Sequence, residues 1–298
     1  MSSHKYTPDE AKERAQDKRS ELHATMQAGV QALLTELRQG KSERLLACLN
    51  FGAKFHRYSP NNQHLILLQC MRRGIEPEYV AGFTTWKRLN YAVKKGEKGI
   101  AILAPRPFSV KKTVDGEETG EEQHFLAFRI VYVFADTQVE PLKEGMPPFP
   151  EFFTPLQGDH EHLFNRLAEV VREDGIALAE RALGGAQGMS LKGRVLLTTG
   201  LDSTRKFLVL IHEYAHELLH KGVSLDKTVK ECQAEAVSYI VAHHFGVHNP
   251  FSSDYLQMWG NDEQTLLAEI ETVQRTASTI IDRMEQPFVS EQPNDLAA

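Results

Sequence analysis

At 298 residues, 41% hydrophobic and 25% charged, the chain has the make-up of a soluble globular protein with room for one large or two ordinary domains. No run of about 18 consecutive apolar residues occurs, and the polar opening MSSHKYTPDEAKERAQDKRSE lacks the apolar centre of a secretory signal, so a cytoplasmic protein without a membrane partner is expected. Cys48, Cys70 and Cys232 are far apart and form no CxxC, which argues for free buried thiols rather than disulfide staples or a cysteine metal site.

The net charge of −6 is unevenly spread. Residues 1–112 hold 20 Lys and Arg against 10 Asp and Glu, and the remainder 14 against 30, so a first part at +10 precedes a second at −16. Two domains with different partners follow from this, the basic one suited to a polyanion.

Residues 7–39 read as a helix opened by Thr7 and Pro8, with Met26, Val30, Leu33, Leu34 and Leu37 on one face and Gly40 after its end. A second helical region covers about Ser42–Cys48. A loop follows, in which Ser59, Pro60, Asn61 and Asn62 can start a helix running through Met71. Around this helix stand Arg57, Tyr58, Arg72 and Arg73, and the next stretch adds Trp86, Lys87, Arg88, Lys94, Lys95 and Lys98 before an apolar strand at Ile100–Leu103. Cations interleaved with aromatic rings suit single-stranded DNA, whose phosphates need Lys and Arg and whose unpaired bases stack on rings. The competing reading makes Phe83 and Trp86 core residues. Residues 111–124 read as a polar turn marked by Asp115 and Gly116, with the partner strand at 125–134.

Residues 1–140 thus read as a basic domain suited to single-stranded DNA, and the Gly- and Pro-rich stretch 141–155 reads as a linker. Residues 156–286 form a second, mostly helical domain: a helix near His160–Arg172, a hairpin-like segment with Gly184, Gly185 and Gly188, a strand at 193–200, and three further helices. The last of these, about Asp262–Met284, is apolar on one face. The tail 287–298 is polar and is expected to be disordered. The fold class is α+β.

Within the second domain, KFLVLIHEYAHELLH at 206–220 has Leu208, Ile211, Ala215, Leu218 and Leu219 at helical spacing. His212 and His216, four apart, share a face and can converge on one zinc ion per chain. Glu213 between them can take a proton from a water acidified by the metal and pass it to a leaving amine, which is the HExxH arrangement of zinc metallopeptidases. A third ligand is required. Glu231 and Glu235, one turn apart on the next helix, about Lys230–Phe245, supply the candidates: Glu231 as ligand and Glu235 orienting a ligand histidine from behind, or the reverse. His220 extends the histidine stripe and reads as a helix-end residue facing free carbonyls. The acidic surroundings are expected to keep DNA out of this cleft and to favour a peptide.

Five segments resemble the ArdC antirestriction family: YSPNNQHLILLQ at 58–69, VAGFTTWKRL at 80–89, VKKGEKGIAILAP at 93–105, HEYAHELLH at 212–220 and ECQAEAVSYIVAHHFG at 231–246. The resemblance spans about residues 20–285. It implies an N-terminal domain that binds single-stranded DNA, a zincin-like metallopeptidase domain, and protection of incoming plasmid DNA from host restriction during conjugation. A host protein as peptidase substrate is compatible with it but not specified by it. Two other readings stay open: a cytosolic zinc metallopeptidase or stress regulator that cleaves a protein partner, and a non-enzymatic DNA shield with a structural zinc.

Overall fold

A computed structural model describes residues 8–41, 43–114, 117–142, 160–249 and 262–286. The expected N-cap Thr7, the turn at Asp115 and Gly116, linker residues 143–155 and the tail 287–298 lie outside them. The chain divides into two compact units: Met1–Thr154 with Gly260–Leu267, and Pro155–Trp259 with Ala268–Ala298.

The first unit opens with α1 (Pro8–Arg38), whose Val30, Leu33, Leu34 and Leu37 are buried as their spacing requires. Gly40, at φ 73°, closes it by turning the Gly40 and Lys41 amides back onto the Leu37 and Glu36 carbonyls. Helix α2 (Glu43–Lys54) runs six residues past the expected end at Cys48, because Leu49, Phe51 and Ala53 continue the apolar face and are buried. Helix α3 (Pro60–Arg73) starts as its sequence predicts: Ser59 caps the Asn62 amide, Pro60 occupies the first turn, and Gly74 ends the helix in the left-handed conformation.

Short β1 (Val80–Gly82), α4 (Phe83–Arg88) and β2 (Tyr91–Val93) lead into β3 (Ile100–Val114) and β4 (Glu117–Ala135), and β5 (Val139–Pro141) pairs with β2. The sheet order is β1-β4-β3, antiparallel throughout. The hairpin is longer than its apolar residues suggest. Pairing continues from Ile100↔Val133 out to Val114↔Glu117, with a register shift between Lys111 and Thr113, so much of the presumed polar turn is strand. Strand β3 is an edge, and α3 covers it with two amide side chains seven residues apart. Asn62 and Gln69 each donate to and accept from the backbone of β3, Asn62 at Leu103 and Gln69 at Ala101, over 2.8–3.0 Å. They take the place of a missing strand, which accounts for polar residues on a buried helix face.

The second unit comprises α5 (Glu161–Glu173), β6 (Ala177–Glu180), β7 (Gly188–Ser190), β8 (Arg194–Leu197), α6 (Ser203–His220), α7 (Lys227–His244) and most of α8 (Glu263–Glu285). Its sheet has the order β6-β8-β7, parallel between β6 and β8 and antiparallel between β8 and β7. Asp202 and Asp226 cap α6 and α7 by accepting from the Arg205 and Thr228 amides. Helix α6 is the central element. Its Phe207, Leu210, Ile211 and Tyr214 are fully buried, whereas Leu218 is exposed, so the apolar face is rotated from the one its leucines alone suggest. Arg283 of α8 ties α5 and α6 together by donating to Asp174 and to the Tyr214 hydroxyl, and Tyr214 donates to Asp174.

Candidate metal centre

Helix α6 presents His212, Glu213 and His216 towards α7, and α7 returns Glu231 and Glu235. His212 Nε2 and His216 Nε2 are 3.1 Å apart, and Glu231 Oε2 lies 3.4 Å from the first and 3.7 Å from the second. Three ligand atoms of a tetrahedral ion with bonds of about 2.0–2.1 Å form a triangle with sides of roughly 3.3 Å. The three side chains therefore fit a single divalent ion with an open fourth position. Glu235 stands elsewhere: its Oε2 is 3.2 Å from His212 Nδ1, the nitrogen that faces away from the triangle. The two carboxylates thus differ by position although their spacing makes them equivalent.

The electrostatics follow from this crowding. Burial alone would push His212 down, but Glu231 and Glu235 on its two nitrogens hold it up at about 9. Hydrogen bonds from His212 and His216 hold Glu231 well below the usual carboxylate range. Glu213 is buried, and this desolvation, opposed by His212 and His216, raises it above an ordinary carboxylate, which brings it towards the range a proton carrier needs. A Cβ on Gly188 of β7 would fall 2.6 Å from Glu213 Oε1 and 2.5 Å from Val209 Cγ1. Only glycine lets the strand pass this close to the carboxylate.

His220 is not the carbonyl-facing helix end its position suggests. Its Nδ1 is 2.8 Å from His216 Nδ1 and its Nε2 is 2.8 Å from Gln233 Oε1, while Gln233 Nε2 donates to Glu269 of α8. With His216 Nε2 turned to the ligand triangle, its proton sits on Nδ1 and every later member of the chain has one assignment. His216 donates to His220, His220 to Gln233, and Gln233 to Glu269. Burial lowers His220 and favours the neutral ring this requires. Glu217, also missed, is buried and accepts from the Ser190 hydroxyl at 2.5 Å and the Gly193 amide at 2.6 Å, pinning the β7–β8 turn to α6. The four-residue histidine repeat was the available signal for His220. Gln233, Glu217 and Glu269 carried none.

The expected DNA contacts divide in the first unit. Arg57, Arg72, Lys87, Arg88, Lys94, Lys95 and Lys98 are exposed. Arg73, though exposed, donates to the Lys98 and Gly99 carbonyls and so joins the end of α3 to the lysine-bearing turn. Two aromatic assignments need correction. Trp86 is fully buried, donates to the Phe134 carbonyl and packs edge-on against Tyr79 and Tyr91, so it offers no face to a base. Tyr58 is half-buried with its hydroxyl on the Val80 carbonyl, and burial pushes that phenol up to about 12. Among the described residues of this unit, the exposed Phe and Tyr rings are Phe83, Phe128 and Tyr132, at 58%, 47% and 51%. Among the described residues no helix is long and apolar enough to cross a membrane.

Comparison with known proteins agrees with this architecture. Residues 12–134 match a family model described as the N-terminal domain of anti-restriction factor ArdC. The metal-free crystal structure of the antirestriction protein ArdC from plasmid R388 superposes with a TM-score of 0.54 at 16% identity, covering 87% of this chain and 97% of that one. The Mn(II)-bound form gives 0.51 at 15% identity, with 87% and 98% coverage. The uncharacterized protein pXO2-81 of Bacillus anthracis is 26% identical over an alignment of 327 positions that covers 95% of this chain. The chain spans about half, 54%, of that relative's length. Residues 12–134 thus resemble the N-terminal domain of anti-restriction factor ArdC, and the chain shares the α+β fold of the R388 structures.

Proposed function

We propose that the chain is an antirestriction protein of the ArdC kind, which binds single-stranded DNA through its basic first unit and carries a metal-dependent peptidase centre in its second. The observation that carries the second half is the triangle of His212, His216 and Glu231 with Glu213 beside it. His212, His216 and Glu231 hold one divalent ion, Glu235 orients His212, and the ion is assigned as zinc from the two-histidine, one-carboxylate set. The R388 protein was crystallised with Mn(II), so a divalent ion suits the fold. Bound there, such an ion supplies a Lewis acid that polarises a carbonyl and acidifies a water. Glu213 takes a proton from the attacking water and returns it to the leaving amine, a task matched to its raised proton affinity.

Supporting the first half are the match to the ArdC N-terminal domain and the excess of cations before residue 112. Lys94, Lys95 and Lys98 contact phosphates, and the exposed rings of Phe83, Phe128 and Tyr132 take over the stacking role from Trp86. Protection of incoming plasmid DNA is then occlusion of the DNA, destruction of a host protein, or both. The test is conjugation into a restricting host with the wild type, Glu213→Ala and a Lys94/Lys95/Lys98→Ala variant. The DNA-binding reading predicts loss of protection in the triple variant. Full protection by that variant contradicts it, and loss in Glu213→Ala assigns protection to the peptidase.

A further inference from the structure

The cleft in front of His212 and His216 encloses about 660 Å³, and its rim does not share the charge of the unit around it. The second unit has five lysines. Four of them, Lys192, Lys221, Lys227 and Lys230, line this one cavity, and the fifth, Lys206, is ion-paired with Glu180 at 2.6 Å. None of the four rim lysines has an ion-pair partner among the described residues. Three carboxylates share the cavity: Glu231 is engaged with the two histidines, Glu217 with Ser190 and Gly193, and Glu213 is buried beside the histidines. An acidic unit has thus gathered its unpaired ammonium groups around its one chemically equipped cleft. The cleft thus carries cations on its rim in addition to the carboxylates expected of it.

Lys192 carries a second, independent sign of selection for charge. With Gly193 it forms the two-residue turn between β7 and β8, and both residues have positive φ, 53° and 104°. Turns of this form favour Asn-Gly, since a β-carbon is disfavoured in the left-handed region at the first position and Asn tolerates it best. A long cationic side chain is kept where the backbone prefers Asn.

We propose that the four lysines make this cleft a receptor for an acidic polypeptide segment, with Asp or Glu side chains on either side of the residue seated before the histidines. The inference rests on the peptidase reading of the centre. A peptide fits better than nucleic acid because, among the described residues, no Phe, Tyr or Trp lines the cavity to give bases a stacking platform. Met189 and Leu225 give its wall apolar contacts suited to side chains.

The test is fluorescence anisotropy on the full chain with two labelled dodecapeptides of Ala and Gly, one bearing four Glu and the other Gln at the same places. The Glu peptide should bind on the order of tenfold more tightly, with an advantage that shrinks as salt rises. A Lys192→Asn/Lys221→Gln/Lys227→Gln variant should lose that advantage while Lys94/Lys95/Lys98→Ala keeps it, and Lys192→Asn alone should melt no lower than the wild type. Equal binding of the two peptides, or a preference that survives the cleft variant, overturns the proposal. So does displacement of the Glu peptide by an oligothymidylate from the Lys94/Lys95/Lys98→Ala protein, which would assign the cleft to nucleic acid. Because the readout is binding, peptides that bind as expected yet stay uncut would count against the peptidase reading alone.

Discussion

The Nδ1 atoms of His216 and His220 lie 2.8 Å apart, which makes the third histidine of the α6 stripe the support of the second. The two ligand histidines are therefore held in different ways. His212 meets the Glu235 carboxylate directly, and His216 reaches the Glu269 carboxylate through His220 and Gln233.

His220→Leu removes the acceptor for the His216 proton and leaves Gln233 Oε1 without its donor. Partners of this kind are worth about 10–100-fold in metal affinity. Chelator competition should show zinc held more weakly by that factor, with Gln233→Leu causing a smaller loss. An unchanged affinity in His220→Leu would make the chain of contacts a packing feature only.

Gly188→Ala places a methyl group within contact of Glu213 and Val209, and the stiff valine cannot yield easily. Glu213 must move. A displacement of about 1 Å costs on the order of 100-fold in hydrolysis, whereas the ligand triangle is untouched. Peptidase assay and metal analysis of the same preparation should show low turnover with full metal content.

In the first unit, Trp86→Ala empties a fully buried site and should cost about 3–5 kcal/mol in denaturant unfolding. Phe128→Ala and Tyr132→Ala should leave stability within about 1 kcal/mol of the wild type and weaken binding to single-stranded DNA. Titrations of the three variants separate core from contact surface. Tight DNA binding by the Phe128/Tyr132 double variant would remove stacking from the account.

His64 of α3 is buried, its Nε2 has no hydrogen-bond partner among the described residues, and burial lowers it to about 4. Its folded value is depressed below the ordinary 6.5, so the unfolded chain takes up the proton first. Its stabilising contribution is complete above about pH 6.5 and is lost as pH falls towards 4, a change on the order of 3 kcal/mol. His64→Asn should flatten urea-unfolding free energies over that interval. A slope identical to the wild type would show that His64 does not titrate there.

Much of this was legible before any coordinates because the signals were local. Ser59-Pro60 starts α3 as read, and the pair His212 and His216 needs only helical geometry to converge. Other features depended on contacts distant in the chain. The burial of Trp86 comes from Tyr79, Tyr91 and the Phe134 carbonyl, and no spacing rule within residues 80–98 separates an exposed ring from an enclosed one. Asn62 and Gln69 read as surface amides until the free edge of β3 is laid against them. The length of the hairpin was hidden because residues 111–114 and 117–124 pair through their backbones while their side chains are mostly polar. Glu231 and Glu235 could not be told apart, since one helical turn separates them and only the approach of α6 turns one to Nε2 and the other to Nδ1.

On the proposed reading, His212, His216 and Glu231 hold one divalent ion while Glu213 and Glu235 serve it without ligating. Metal analysis of purified wild type, Glu231→Gln, Glu235→Gln and Glu213→Gln after dialysis against a mild chelator tests it most directly. The account predicts about one zinc per chain in the wild type and Glu213→Gln, a partial loss in Glu235→Gln, and nearly complete loss in Glu231→Gln. Full occupancy in Glu231→Gln, or emptying of the site by Glu213→Gln, would contradict it.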